Sequence, residues 1–381
     1  MNVYEYINRQ KIPKTKFGRF CHFICHKSHL DFPLFLSITI LTTMGLFILY
    51  SASNQSIAVL GHQAGSLGLA FCIMFILAQV PPHRYQSIAP WLFGITLILL
   101  LIVLVTGAIS KGAQRWLNLG IIRFQPSEIM KIAMPMMLAW YLQEKNLPPK
   151  LKTIFTSSIM LLIPVFMIAR QPDLGTAIII TATGLFVIFL SGISWRFIFG
   201  TLFSLALLLP IGWYFLHDYQ KARILTFLNP ERDHLKSGYH IIQSKIAIGS
   251  GGFLGQGWLH GSQTHLQFLP EHTTDFIFGV CGEELGFIGS LLLIGTFAYV
   301  VARGLYISKN AQDSFTRLLA GSLTLTFFLS FFVNIGMVIG ILPVVGLPLP
   351  LISYGGSSLV TLMAAFGIIM SIRTHRKLLS N

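Results

Sequence analysis

Asp275 is the acid best placed for chemistry. It closes the segment Pro270-Glu271-His272-Thr273-Thr274-Asp275, where a long loop gives way to the apolar run that starts at Phe276. In a partly dry cleft, desolvation would disfavour the charged carboxylate and make it a usable general base. The same position suits a helix N-cap, because Asp before a helix satisfies exposed N–H groups. The two roles compete: capping bonds stabilise the carboxylate and weaken it as a base.

Other ionisable groups fall inside apolar stretches, where each is costly and needs a reason. Glu283 and Glu284 follow Asp275 by about two helical turns. As neighbours they face different directions and do not form a proton-sharing dyad. One is expected to pair with a buried cation and the other to line a cavity. Glu128 and Lys131 have the i, i+3 spacing of a self-neutralising pair, and the same face could offer a cation to a diphosphate. Asp173, in Gln171-Pro172-Asp173-Leu174-Gly175-Thr176, reads as a cap. Arg115 and Trp116 are adjacent in a short loop; an Arg suits phosphate, and a Trp suits the membrane interface or a sugar face.

Some patterns carry less. Cys21-His22 and Cys25-His26 have metal-ligand spacing, but they lie in a basic tail with no further ligand group, so lipidation or interfacial packing suits them better. Gly249, Gly251 and Gly255 do not form a G-x-G-x-x-G fingerprint, and there is no Walker A sequence and no D-x-D pair. A nucleotide donor is therefore not expected.

The elements that hold these residues follow from composition. Of 381 residues, 54% are hydrophobic and only 10% charged, with a mean hydropathy of +0.70. A soluble domain carries about 25% charged residues. So few charges cannot cover a water-facing surface, which leaves a polytopic, all-α membrane protein. The net charge of +14 fits basic loops beside anionic lipid headgroups; no nucleic-acid partner is needed to explain it.

Ten apolar stretches are long enough to cross a bilayer, near 32–52, 62–80, 88–109, 125–142, 153–169, 174–192, 197–216, 276–302, 317–341 and 352–372. The chain thus divides into a tail of residues 1–31, seven spans over 32–216, an outer loop of 217–275, three spans over 276–372 and a tail of 373–381. With both termini in the cytoplasm, about 17 basic residues fall on inner segments and about 9 on outer ones. The outer cations cluster in two loops, as a site for anions would require. The loop after the seventh span is too apolar to be a plain linker. A short helix is expected over Tyr239–Ile248, broken by the glycines that follow, with the segment packed on or into the membrane face.

Taken in order, several segments resemble the SEDS family of bacterial envelope proteins, from about residue 45 to 372. They are Gly112-Ala113-Gln114-Arg115-Trp116, Gln125-Pro126-Ser127-Glu128-Ile129-Met130-Lys131, Gln171–Thr176, Gly238–Ser244 with Ile248–Gly252, Pro270–Phe278 and Pro348–Ser358. Phe227–Arg232 and Gly255-Gln256-Gly257-Trp258 look like the elongation branch of the family more than the division branch.

The resemblance implies a ten-span glycosyltransferase in the bacterial inner membrane. It would polymerise lipid II on the periplasmic face and release polyprenyl diphosphate. The family's essential acid maps onto Asp275, as catalytic base or as a metal ligand. The substrate-binding residues would be Arg115, Trp116, Glu128, Lys131, Asp173, Arg223, Lys245, Glu283 and Ser353. A divalent cation, Mg²⁺ or Mn²⁺, and a class B penicillin-binding protein acting as transpeptidase belong to the same expectation, as does contact with membrane lipid. One residue departs from the family pattern: Thr273 stands where His is usual, and His272 lies one place earlier.

The implied chemistry agrees with the inventory. An α-phosphate donor giving a β-1,4 bond inverts in one displacement, which needs one base and a cation for the leaving diphosphate. Arg115, Lys131, Arg223, Lys245 or the metal could supply that cation. The competing readings are a lipid II flippase and a non-catalytic scaffold.

Overall fold

The computed structural model describes residues 29–110, 113–118, 123–145, 148–171, 173–193, 200, 214, 221, 225–226, 237–265 and 271–375. Nearly all of the seventh expected span, Arg223, Phe227–Arg232 and the Cys21–His26 pattern lie outside the described residues.

The chain folds as a bundle of long apolar helices. In order these are α1 (Phe32–Ala52), α2 (Ile57–Gln79), α3 (Pro82–Thr106), α4 (Pro126–Gln143), α5 (Leu151–Arg170), α6 (Leu174–Leu190), α7 (Ser237–Gly251), α8 (Ile277–Lys309), α9 (Ser314–Val338) and α10 (Gly356–Thr374). Seven of them are long and apolar enough to cross a membrane. Among the described residues, α1–α6 and α8–α10 coincide with nine of the ten expected spans. The boundaries move where local chemistry dictates. α2 starts at Ile57 because Ser56 caps it, and α3 starts at Pro82, a residue that suits the first turn.

One departure from an all-α chain is a small antiparallel sheet between α3 and α4. Strand β1 (Ala108–Ser110) pairs with β2 (Ala113–Asn118), which pairs with β3 (Arg123–Phe124). Arg115 and Trp116 lie on its middle strand.

Packing shows how the bundle closes. α10 lies along α2, α8 along α9 and α1, and α7 against α8. Phe297, Phe327 and Phe331 form the aromatic centre between α8 and α9, and Phe366 of α10 meets Phe327 edge-on at 5.1 Å. Many other large apolar side chains face outward, such as Trp91, Val105 and Phe166, as lipid-facing helices require.

Between α9 and α10 the chain crosses the bundle without helix, over residues 342–355. Irregular backbone at this depth must be buried in protein. Gly45 of α1 makes that possible: a Cβ there would fall 2.9 Å from Ile352 Cα. Gly175 of α6 does the same against the Val345 carbonyl, at 3.1 Å.

α8 is broken at Gly286, whose φ of 66° favours glycine. The break releases backbone groups, and the segment after α7 takes them up. Gln256 and Gly257 donate N–H to the carbonyls of Glu283 and Glu284 at 3.0 and 3.1 Å, while Phe287 and Ile288 donate to Gly252 and Phe253 at 3.0 and 3.2 Å. The expected helix of the loop is thus real, and it ends in the glycine run that docks on α8.

Candidate active site

Asp275 ends a turn, Glu271–Phe276, that leads into α8. The cap position falls on Phe276, and no side chain caps the helix. The capping role open to Asp275 in the sequence is therefore not the one it takes. Its carboxylate is half-buried and lies beside Gly346, where an added Cβ would sit 3.5 Å from Oδ2. Gly346 has φ +77°.

The backbone of the turn is held from outside. Tyr354 donates its N–H to the Thr273 carbonyl at 2.9 Å, the Ser353 hydroxyl donates to the Thr274 carbonyl at 2.5 Å, and the Asn334 amide donates to the Asp275 carbonyl at 2.8 Å. Thr274 also donates its hydroxyl to the Glu271 carboxylate at 2.9 Å. His240 of α7 stacks on Phe276, with ring centres 5.5 Å apart.

A chamber of about 80 Å³ lies among α4, α6, α9 and α10, lined also by Leu347–Leu351 and Ser353. Lys131 and Glu128 line it, joined at 2.6 Å as the i, i+3 spacing implied. Ser353 connects chamber and turn, since it lines the first and donates to the second. Beside the chamber an apolar groove of about 620 Å³ opens between α2, α3, α4 and α10, and Ile132 and Thr361 border both spaces.

The remaining expected site residues fall in several places. Asp173 caps α6, accepting the Thr176 N–H at 3.2 Å, and accepts from Gln125 at 3.1 Å. Glu283 is fully buried and accepts the Gln263 N–H at 2.7 Å, so its carboxylate pins the loop segment. Glu284 accepts from the Ser51 hydroxyl of α1. Glu283 thus ties the loop segment to α8, and Glu284 ties α1 to it. Lys245 is exposed on α7, and its stem lies over Gly340 at the end of α9, where a cation suits the helix dipole. Trp116 is half-buried on β2, opposite Ala108.

A metal would need ligands. Among the described residues no three His, Cys, Asp or Glu side chains converge to hold an ion.

Asn334 and Gln63 were not among the residues expected at the site. The available signal was a lone Asn inside the apolar helix α9.

A family model described as cell cycle protein, covering FtsW, RodA and SpoVE, matches residues 32–378. The chain is 53% identical to the peptidoglycan glycosyltransferase MrdB of Escherichia coli strain K12, over 93% of this chain and 96% of that protein. It is 32% identical to the peptidoglycan glycosyltransferase RodA of Treponema pallidum, over 92% and 98%. Among solved structures, one described as the structural coordination of polymerization and crosslinking by a peptidoglycan synthase complex superposes with a TM-score of 0.81 at 32% identity, covering 90% of this chain and 97% of the other. The crystal structure of Thermus thermophilus rod shape determining protein RodA superposes with a TM-score of 0.70 at 28% identity, over 91% and 98%.

Proposed function

The chain belongs to the FtsW/RodA/SpoVE cell cycle protein family and is a multi-pass peptidoglycan glycosyltransferase of the elongation type; we propose that it extends glycan strands from lipid II with Asp275 as the general base. The observation that carries this reading is the placement of Asp275. It is a half-buried carboxylate beside Gly346, its backbone carbonyl held by Asn334, on a turn that Ser353 ties to a chamber lined by Lys131.

In the proposed step the acceptor sugar hydroxyl gives its proton to the Asp275 carboxylate. Its oxygen attacks the anomeric carbon of the donor, and the bond from that carbon to the phosphate breaks with inversion. A positioned base contributes about 10²–10⁴-fold. Lys131 would balance charge on the departing diphosphate, and the apolar groove beside the chamber would receive the polyprenyl chain. Arg115, Trp116 and Lys245 remain proposed contacts for sugar or phosphate.

A Mg²⁺ or Mn²⁺ ion at Asp275 would draw its other ligands from water and substrate phosphate oxygens, as such ions commonly do. When bound it would neutralise diphosphate charge. The site would face the periplasm of the inner membrane, and a class B penicillin-binding protein would crosslink the product.

Purified protein given labelled lipid II tests the reading. Wild type should make glycan chains. Asp275→Asn should stay folded and lose about 10²–10⁴-fold in rate. Lipid movement in liposomes without chain growth would identify a flippase instead, and neither activity would identify a scaffold.

A further inference from the structure

The turn that carries Asp275 is not helical, so its carbonyls lack the i+4 partners that α8 would give them. Three consecutive ones, on Thr273, Thr274 and Asp275, are each met by a different donor from the segment around Tyr354 or from α9. Two of those donors are side chains. Asn334 is fully buried, and its amide divides its two hydrogens between the Asp275 carbonyl at 2.8 Å and the Leu347 carbonyl at 2.7 Å. The Ser353 hydroxyl gives its hydrogen to the Thr274 carbonyl and accepts the Leu349 N–H at 2.7 Å. Ser353 is itself anchored, because Gln63 of α2 donates to its carbonyl and accepts the Gly355 N–H, both at 3.2 Å.

Without these donors the turn has a ready alternative. Asp275 stands just ahead of an apolar helix, where Asp is a favoured cap. Winding the turn into α8 would give the carbonyls new N–H partners and swing the carboxylate from Gly346 onto the helix end. Capping bonds would then stabilise the charged form and weaken the base.

We propose that Asn334 and Ser353 are positioning residues that hold Asp275 out of the cap and beside Gly346. Neither needs to touch the reacting atoms; both act through the backbone of the aspartate. This rests on the reading of Asp275 as the base.

The test compares full-length Asn334→Leu, Ser353→Ala and Ser353→Thr with Asp275→Asn in the lipid II polymerisation assay. Small misplacements of a reacting group cost up to about 100-fold. Asn334→Leu keeps the volume and removes both donors, so kcat should fall by about 10- to 100-fold while KM for lipid II holds. Ser353→Ala should behave alike, and Ser353→Thr, which keeps the hydroxyl, should recover the rate. The double variant Asp275→Asn/Asn334→Leu should be no slower than Asp275→Asn alone. The proposal is overturned if Asn334→Leu and Ser353→Ala keep the wild-type kcat, if their loss appears in KM, or if Ser353→Thr fails to recover. Should Asn334→Leu not reach the membrane, the Ser353 pair decides. A fully active Asp275→Asn would sink the base reading itself, and the positioning role with it; a dead Asp275→Asn beside a normal Asn334→Leu would sink the positioning role alone.

Discussion

The guanidinium of Arg303 meets the carboxylate of Asp31 through two bonds, Nε to Oδ1 at 2.9 Å and Nη2 to Oδ2 at 2.7 Å. Asp31 is also the N-cap of α1, accepting the Leu34 N–H at 3.1 Å. One carboxylate therefore starts the first helix and ties it to α8 at the end of the bundle opposite Asp275. Arg373 of α10 adds a looser contact at 3.8 Å. Asp31→Asn keeps the capping oxygen and removes the charge, whereas Asp31→Ala removes both. The cap alone contributes about 1 kcal/mol. Breaking a pair this buried costs about 3–5 kcal/mol, because the partner charge is left behind. Thermal unfolding in detergent should rank wild type above Asp31→Asn, and Asp31→Asn above Asp31→Ala. Equal melting for the two variants would show that the cap carries nothing.

The Glu128–Lys131 pair has a different setting, since it lines the chamber. The Glu128 side chain is 8% exposed and that of Lys131 21%. Lys131→Met leaves a carboxylate in an apolar wall, a change worth about 3–5 kcal/mol. Glu128→Gln with Lys131→Met removes both charges and should recover most of that stability. If Lys131 also serves the diphosphate, the double variant melts near wild type yet stays slow in polymerisation. Recovery of both stability and rate would make the pair purely structural.

The sequence shows some of this directly and hides the rest. The pair Glu128–Lys131 and the cap at Asp173 were readable, because both depend on spacing within a few residues. So were the positions of nine helices, seven of them long and apolar enough to cross a membrane, since a bilayer sets such lengths. The break in α8 at Gly286 was not readable, because it depends on a loop about thirty residues upstream donating and accepting at that point. The contacts of Glu283 with Gln263 and of Glu284 with Ser51 were hidden for the same reason, since the fold sets them. At Asp275 the residue type was informative and the role was not. Only the donors from Asn334, Ser353 and Tyr354 separate a cap from a candidate base.

The glycine run after α7 makes a sharp steric prediction. A Cβ on Gly251 would fall 2.0 Å from the Gly282 carbonyl oxygen, and one on Gly255 2.1 Å from that of Glu284. Both obstacles are backbone and cannot rotate away. Gly255 also has φ +82°, which an L side chain resists. Gly249, two residues before Gly251, has open space around the same point. Gly251→Ala and Gly255→Ala should each cost about 1–3 kcal/mol or more and lower the yield of folded protein, while Gly249→Ala should melt like wild type. Limited proteolysis of the 252–261 segment gives an independent readout, with cleavage faster in the first two variants only. Resistance equal to wild type in Gly255→Ala would mean that the loop docks less tightly than its bonds to α8 imply.

The divalent cation is testable through its source of ligands. No three acidic, His or Cys side chains converge among the described residues, so an ion at Asp275 would lean on phosphate oxygens of the substrate. Affinity for the free protein should then be weak and should rise when lipid II or polyprenyl diphosphate is present. Chelator should stop chain growth, and added Mn²⁺ or Mg²⁺ should restore it. Calorimetry with Mn²⁺ alone should detect little binding to wild type. With polyprenyl diphosphate present, binding should appear in wild type and weaken in Asp275→Asn. Tight Mn²⁺ binding without lipid would require a protein-built site that includes residues beyond those described. Full activity in chelator would remove the cation from the reaction and leave the diphosphate to Lys131 and the other basic groups.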